Sequence, residues 1–155
     1  MVSILTNLRG FSVQRLDPYE SLGFHCNLTL KAFLAALEKK LKGTGVSPAQ
    51  HVALANLIAH GPMSQSDLVD RLAITRATGV RLVDRMERDG WVKRRPDPKD
   101  GRVKLVMPTE RAAEVWKKIS REGRALLEQA YRGVDPAEIE TVKRVLEMVR
   151  KNLKQ

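Results

Sequence analysis

A mainly α-helical chain carrying one small β-hairpin is the fold class that these 155 residues predict, on three observations. Apolar residues recur at spacings of three and four over several stretches, with Ser, Thr or Asp at their starts and Gly at their ends, the period and punctuation of capped amphipathic helices. Two of the stretches are short and joined by a tight turn. Directly after them, two alternating β-branched runs flank "DPKDG", where Pro presets the backbone, Asp caps a turn and Gly101 admits positive φ. Helix, turn, helix and hairpin in that order make a winged helix-turn-helix.

The elements follow from the N-terminus. Residues 1–17 form a mixed apolar arm with Ile4, Leu5, Leu8, Phe11, Val13 and Leu16 at the spacing of a short helix. From Pro18 to Lys42, the residues Leu22, Cys26, Leu30, Phe33, Leu34, Leu37 and Leu41 predict a long helix ended by "GTG". Its first half, "LGFHCNLTL", is apolar on several sides, which predicts burial from more than one direction. In "SPAQHVALANLIAHG", Ser47 is an N-cap, Pro48 suits the first helical position and Gly61 is a stop. "SQSDLVDRL" reads as a short helix capped by Ser64, with Asp67 completing an approximate capping box. "TRATGVRLVDRMERDG", residues 75–90, is a second one with Val80, Leu82, Val83 and Met86 turned inward and Gly90 as its stop.

"WVKRRP" and "RVKLVMP" are the hairpin strands, and helices from about Thr109 to Tyr131 and Asp135 to Asn152 complete the chain. The last carries Ile139, Val142, Leu146, Val149 and Leu153 at near-heptad spacing. That stripe asks for a partner helix, in a second copy or within the same chain. The organisation is therefore residues 1–45 as arm and long helix, 46–108 as the winged head, and 109–155 as C-terminal helices.

Charge assigns the head a partner. The chain carries 28 Lys+Arg against 18 Asp+Glu, a formal +10, which favours a polyanion, nucleic acid or anionic lipid. Between Arg71 and Lys104 stand eleven basic and five acidic residues, so most of the surplus lies on the candidate reading head. No apolar run approaches a membrane span, and the N-terminus lacks a signal peptide's core. One cysteine forms no internal disulfide and fits a reducing, cytoplasmic setting. With no phosphate loop, G-x-S-x-G or H-E-x-x-H, and three scattered histidines, neither enzyme chemistry nor a metal or cofactor is predicted.

Double-stranded DNA is the polyanion the order of elements selects. Thr75, Arg76, Thr78, Gly79 and Arg81 crowd the N-terminal half of the second short helix, the part that enters a major groove. There arginine can grip guanine bidentately and threonine can reach base edges or phosphate, while Gly79 allows close backbone approach. Ser64, Gln65 and Ser66 offer hydroxyl, amide and N–H groups to a phosphate, although capping explains Ser64 equally well. Arg85 and Arg88 lie near Asp84, Glu87 and Asp89, which predicts intrahelical pairing. At the hairpin, Arg102 is the residue for a narrow minor groove, with Lys99 and Lys104 near phosphates and Asp100 orienting an arginine.

Residues 20–131 resemble the MarR (multiple antibiotic resistance regulator) family of winged-helix transcription factors. The similarity runs through "LGF", "GVSPAQHVALANLIAHGPMSQSDLVDRL" and "TRATGVRLVDRMERDGWVKRRPDPKDGRVKLVMPTE", and "RLVDRMERDGWVKR" followed by "DPKDGR" is its most specific part. The resemblance implies a homodimer whose N- and C-terminal helices interlock, with two winged heads on a pseudo-palindromic operator. In many members a phenolic or carboxylate effector, bound between the dimer helices and the head, releases a repressor. Thr75, Arg76, Thr78 and Arg81 match positions along the family's reading helix, and Arg102 its wing arginine. Gly79 and Val80 stand where small hydroxylic or β-branched residues are usual, and "RAAE" replaces the usual glycine after "MPTE".

The same resemblance places His25 and His51 near the ligand cleft as candidates for an acidic effector, against the plainer reading of structural histidines. One branch of the family senses organic hydroperoxides through a cysteine at the start of the long helix. Cys26 falls about one turn later, so a thiol switch is the alternative to ligand control. A basic architectural dimer that contacts phosphates alone is the rival from another functional class.

Overall fold

The computed structural model describes residues 17–154; apart from Asp17, the predicted arm over residues 1–17 lies outside the described residues. The chain divides into two compact units, Met1–Ala35 and Ala36–Gln155. In the first, Asp17 accepts the Tyr19 N–H at 2.9 Å and caps a 3₁₀ turn, Pro18–Glu20. The long helix α1, Leu22–Leu41, therefore starts after that turn rather than at Pro18. Tyr19 meets Phe24 edge-on, with ring centroids 4.9 Å apart. Leu22, Leu28, Leu30 and Leu34 stay exposed, so among the described residues the burial predicted from several directions is not supplied.

In the second unit the local signals fix the helices. Helix α2, Pro48–His60, opens on a full capping box: Ser47 accepts the Gln50 N–H at 3.3 Å, and the Gln50 side chain accepts the Ser47 N–H at 2.9 Å. The buried Gln50 amide then donates to Asp89 at 3.0 Å, which ties α2 to the C-cap of the helix Arg76–Arg88. A two-residue strand β1, Met63–Ser64, precedes α3, Gln65–Leu72. The helix predicted to read DNA is α4, Arg76–Arg88. Strands β2, Val92–Pro96, and β3, Lys104–Pro108, form the hairpin, and the antiparallel sheet runs β1-β3-β2 with Met63 opposite Val106 and Arg94 opposite Val106 from the other side.

The core gathers Ala53, Leu54 and Leu57 of α2, Leu68 and Val69 of α3, Val83 and Met86 of α4, and Trp91, Val92 and Val106 around the sheet. Burying each of the larger side chains contributes about 1.5–3 kcal/mol. Helix α5, Glu110–Ala130, begins without a glycine because Thr109 does two jobs: its hydroxyl donates to the Gly90 carbonyl at 2.7 Å and accepts the Ala112 N–H at 3.2 Å. The Arg111 guanidinium lies over the buried Trp91 ring, 4.5 Å from its centroid. Helix α6, Pro136–Asn152, is capped by Asp135 and Glu138 and has no buried residue.

The hairpin tip corrects two expectations. Asp97 accepts the Lys99 N–H at 2.8 Å and Asp100 accepts the Arg102 N–H at 3.0 Å, while the Asp97 N–H donates to the Val103 carbonyl at 2.8 Å. Asp100 thus holds the backbone of Arg102 and not an arginine side chain. Gly101 is absent from the residues with positive φ; the aspartate carboxylates, not a left-handed glycine, make this turn.

Candidate nucleic-acid interface

Helix α4 is amphipathic to a degree that separates structural from available residues. Thr75 caps it, accepting the Thr78 N–H at 3.3 Å, and the two hydroxyls lie 2.9 Å apart. Gly79, Leu82, Val83 and Met86 are buried. Arg76, Ala77, Thr78, Val80, Arg81 and Arg85 are exposed.

This phase overturns two readings. Gly79 does not offer its backbone to DNA: a Cβ built there would sit 2.0 Å from Cγ2 of Val69. The missing side chain is what lets α3 and α4 cross closely. Val80, expected in the core, is 43% exposed and belongs to the outward surface.

The acidic residues of α4 serve a partner the sequence reading passed over. Arg94 of β2 donates to Asp84 at 2.6 Å, to Gln65 at 2.8 Å and, at very short range, to Glu87. Its backbone N–H also donates to Glu87, at 3.1 Å. Burial works against the Arg94 charge, but the hydrogen bonds and attraction of Asp84 and Glu87 outweigh it and raise the pKa further. The predicted pairing holds for Arg88, which meets Asp89 at 3.5 Å, and is corrected for Arg85, which pairs with no carboxylate among the described residues because Arg94 takes Asp84 and Glu87.

One guanidinium thus fastens the hairpin to α4 and offsets half of the negative charge that Asp84 and Glu87 carry. The signal was present in outline, since Asp84 and Glu87 share one side of a helix at i,i+3.

At the start of α3 the side chains are largely committed. Ser64 accepts the Asp67 N–H at 3.1 Å, donates to the Asp67 carboxylate at 2.7 Å and lies 3.1 Å from the Ser66 hydroxyl. The approximate capping box is a hydroxyl–carboxylate pair, without the return bond to the cap's backbone. Gln65 faces Arg94. Lys99, Arg102 and Lys104 are exposed on and beside the hairpin tip.

The candidate effector residues sit differently from one another. His25 is exposed, with Nε2 2.8 Å from the Tyr19 carbonyl oxygen. His51 is half-buried on α2 against α5: its ring lies 5.3 Å from that of Trp116 and beside Gly123, and Nε2 is buried without a well-aligned partner. Burial pushes its pKa below the usual histidine value, and the Ile119 carbonyl opposes that only in part. Cys26 is a half-buried free thiol. An open groove of about 460 Å³, lined by His60, Met63, Asp67, Asp70 and Arg71, includes none of these three. Among the described residues no helix is long and apolar enough to cross a membrane.

Comparison with known proteins agrees with this geometry. The MarR family model matches residues 44–103. The chain is 30% identical over 94 residues to the HTH-type transcriptional regulator YwoH of Bacillus subtilis, covering 61% of this chain and 68% of that one. It is 29% identical over 117 residues to the HTH-type transcriptional repressor IacR of Pseudomonas putida, covering 76% and 70%. Among solved structures, BpsR of Bordetella bronchiseptica, whose DNA binding is regulated by 6-hydroxynicotinic acid, superposes with a TM-score of 0.77 at 21% identity, over 88% of this chain and 98% of that one.

Proposed function

This chain belongs to the MarR family of DNA-binding transcription regulators, and from that premise we propose that it is a homodimeric repressor of a pseudo-palindromic operator, released by a small aromatic or acidic ligand. The observation that carries the DNA-binding face is the sorting of charge on α4. Arg94 absorbs Asp84 and Glu87, whereas Arg76 and Arg81 face outward with no carboxylate partner among the described residues. Arg81 is the residue for a base edge, Arg76 and Thr78 flank it, and Arg102 reaches the adjoining minor groove from the wing, with Lys99 and Lys104 on phosphates. Ser66 is the α3 hydroxyl best placed to join them.

Repression and effector release draw support from two of the similar proteins: IacR is a repressor, and the DNA binding of BpsR responds to an aromatic acid. Dimerisation draws support from α6, where Val142, Val145, Met148 and Val149 are exposed in the single chain. A ligand releases DNA only through differential affinity for the two states. The test is binding of the full chain to DNA from upstream of its own gene, with and without a panel of aromatic acids including 6-hydroxynicotinic acid. Binding that survives excess random DNA, falls steeply with salt and weakens with Arg81→Ala by about 1–3 kcal/mol is expected. Equal affinity for random DNA would replace the regulator by an architectural binder. Acids that bind the protein without altering DNA affinity would remove the effector mechanism.

A further inference from the structure

Reading of DNA by α4 is taken from the function proposed above, and on that footing we propose that Val80 is a specificity residue that reads the C5 methyl group of one thymine in each half-site. The buried face of α4 is fixed by Gly79 against Val69 and by Leu82, Val83 and Met86, which leaves Val80 no place in the core. Its isopropyl group, 43% exposed, stands on the outward surface between Arg76 and Arg81, both exposed. A β-branched apolar residue is a poor choice for a solvated helix position on propensity alone. It does offer a branched, conformationally stiff side chain, with little rotamer freedom to lose on contact.

In the major groove a hydrogen-bonding side chain can address any base pair, but an isopropyl group has one apolar counterpart on the base edges, the thymine methyl. Ala77, one turn earlier and also exposed, is too short to compete for the same contact. Val80 therefore supplies apolar selectivity beside the charged grip of Arg81. The contact adds a methyl–isopropyl burial on binding and no charge, so it leaves the salt dependence of binding unchanged.

The experiment begins with selection of DNA sites from a random library by the full-length protein. Each thymine of the selected half-site is then replaced, in both halves, by deoxyuridine, which removes the methyl and nothing else. For the wild type one position is expected to lose about fourfold per half-site, the worth of one buried methyl group. In Val80→Ser the same replacement should change affinity by less than about 1.5-fold, a small fraction of a buried methyl, whereas Val80→Ile retains the dependence. Unchanged tryptophan fluorescence, from Trp91 and Trp116 together, and unchanged melting behaviour in both variants keep the comparison on folded protein.

A selected sequence with no methyl-sensitive thymine, or with sensitivity undiminished in Val80→Ser, overturns the role of Val80 alone. A library that yields no shared sequence overturns sequence-specific reading itself, and this inference with it.

Discussion

Helices α4 and α6 have similar hydrophobic periodicity and opposite surroundings. On α4, Gly79, Leu82, Val83 and Met86 are all buried within the chain, and the outward carboxylates are matched by Arg94. On α6 no residue is buried: Ile139 and Leu146 are partly covered, while Val142, Val145 and Val149 stay in solvent. A helix whose apolar stripe is filled by its own chain is a finished structural unit. One whose stripe is left open among the described residues is the face the proposed dimer would cover, because contiguous exposed apolar surface marks an interaction site.

The largest effect should come from breaking that second half. Val142→Glu combined with Val149→Glu places charges on exposed positions, so the winged head should fold as before. The pair should give a monomer by light scattering and lower operator affinity about 100-fold, because the second half-site is then no longer bound intramolecularly. A variant that remains dimeric would show that α6 satisfies its stripe in another way.

A smaller effect is expected from disturbing the finished helix. Gly79→Ala forces a methyl to within 2.0 Å of the Val69 side chain. Overpacking of this kind costs about 1–3 kcal/mol, and the better helix propensity of alanine returns about 1 kcal/mol. With so short an approach to a stiff side chain, the net should be about 2 kcal/mol of lost stability in denaturant melts. In a Val69→Ala background most of that loss should disappear, since the Cγ2 methyl at 2.0 Å is gone and only the Cβ at 3.3 Å remains close. Equal destabilisation in both backgrounds would mean that helix crossing is not what excludes a side chain at residue 79.

The same two helices show what was legible in advance. Two caps were readable residue by residue, Ser47 with Pro48 and Ser64, because a cap is settled within four residues of chain, while Thr75, Thr109 and Asp135 were legible only as approximate helix starts. The phase of α4 was misread at a single step. Residues 79, 82, 83 and 86 are an i, i+3, i+4, i+7 set, but glycine carries no hydrophobic signal and valine carries a strong one, so Val80 was assigned to the core in its place.

Arg94 was missed for a different reason. Its carboxylate partners lie seven and ten residues away in sequence and Gln65 lies 29 away, and only the packing of the hairpin brings them together. Strand β1 was invisible because two residues carry no periodicity at all.

Where the head meets the C-terminal helices, His51 of α2 rests on Trp116 of α5, and the comparison can be sharpened there by pH. Burial lowers the His51 pKa from its usual 6.5, with the Ile119 carbonyl only partly compensating. In the unfolded chain the imidazole takes up its proton near its ordinary value, whereas folded His51 resists until the pH is lower. Between those two values the unfolded state binds more protons, so acid favours unfolding. The contribution is intact above the usual histidine value, is lost as pH falls from there to the folded pKa, and levels off below it. Melting temperature should therefore fall as the pH drops through this window, the smallest of the three effects. His51→Phe keeps a ring against Trp116 and has no proton to bind, so it should flatten that part of the profile. An unchanged slope in His51→Phe would move the acid sensitivity to another group and leave the α2–α5 joint indifferent to pH.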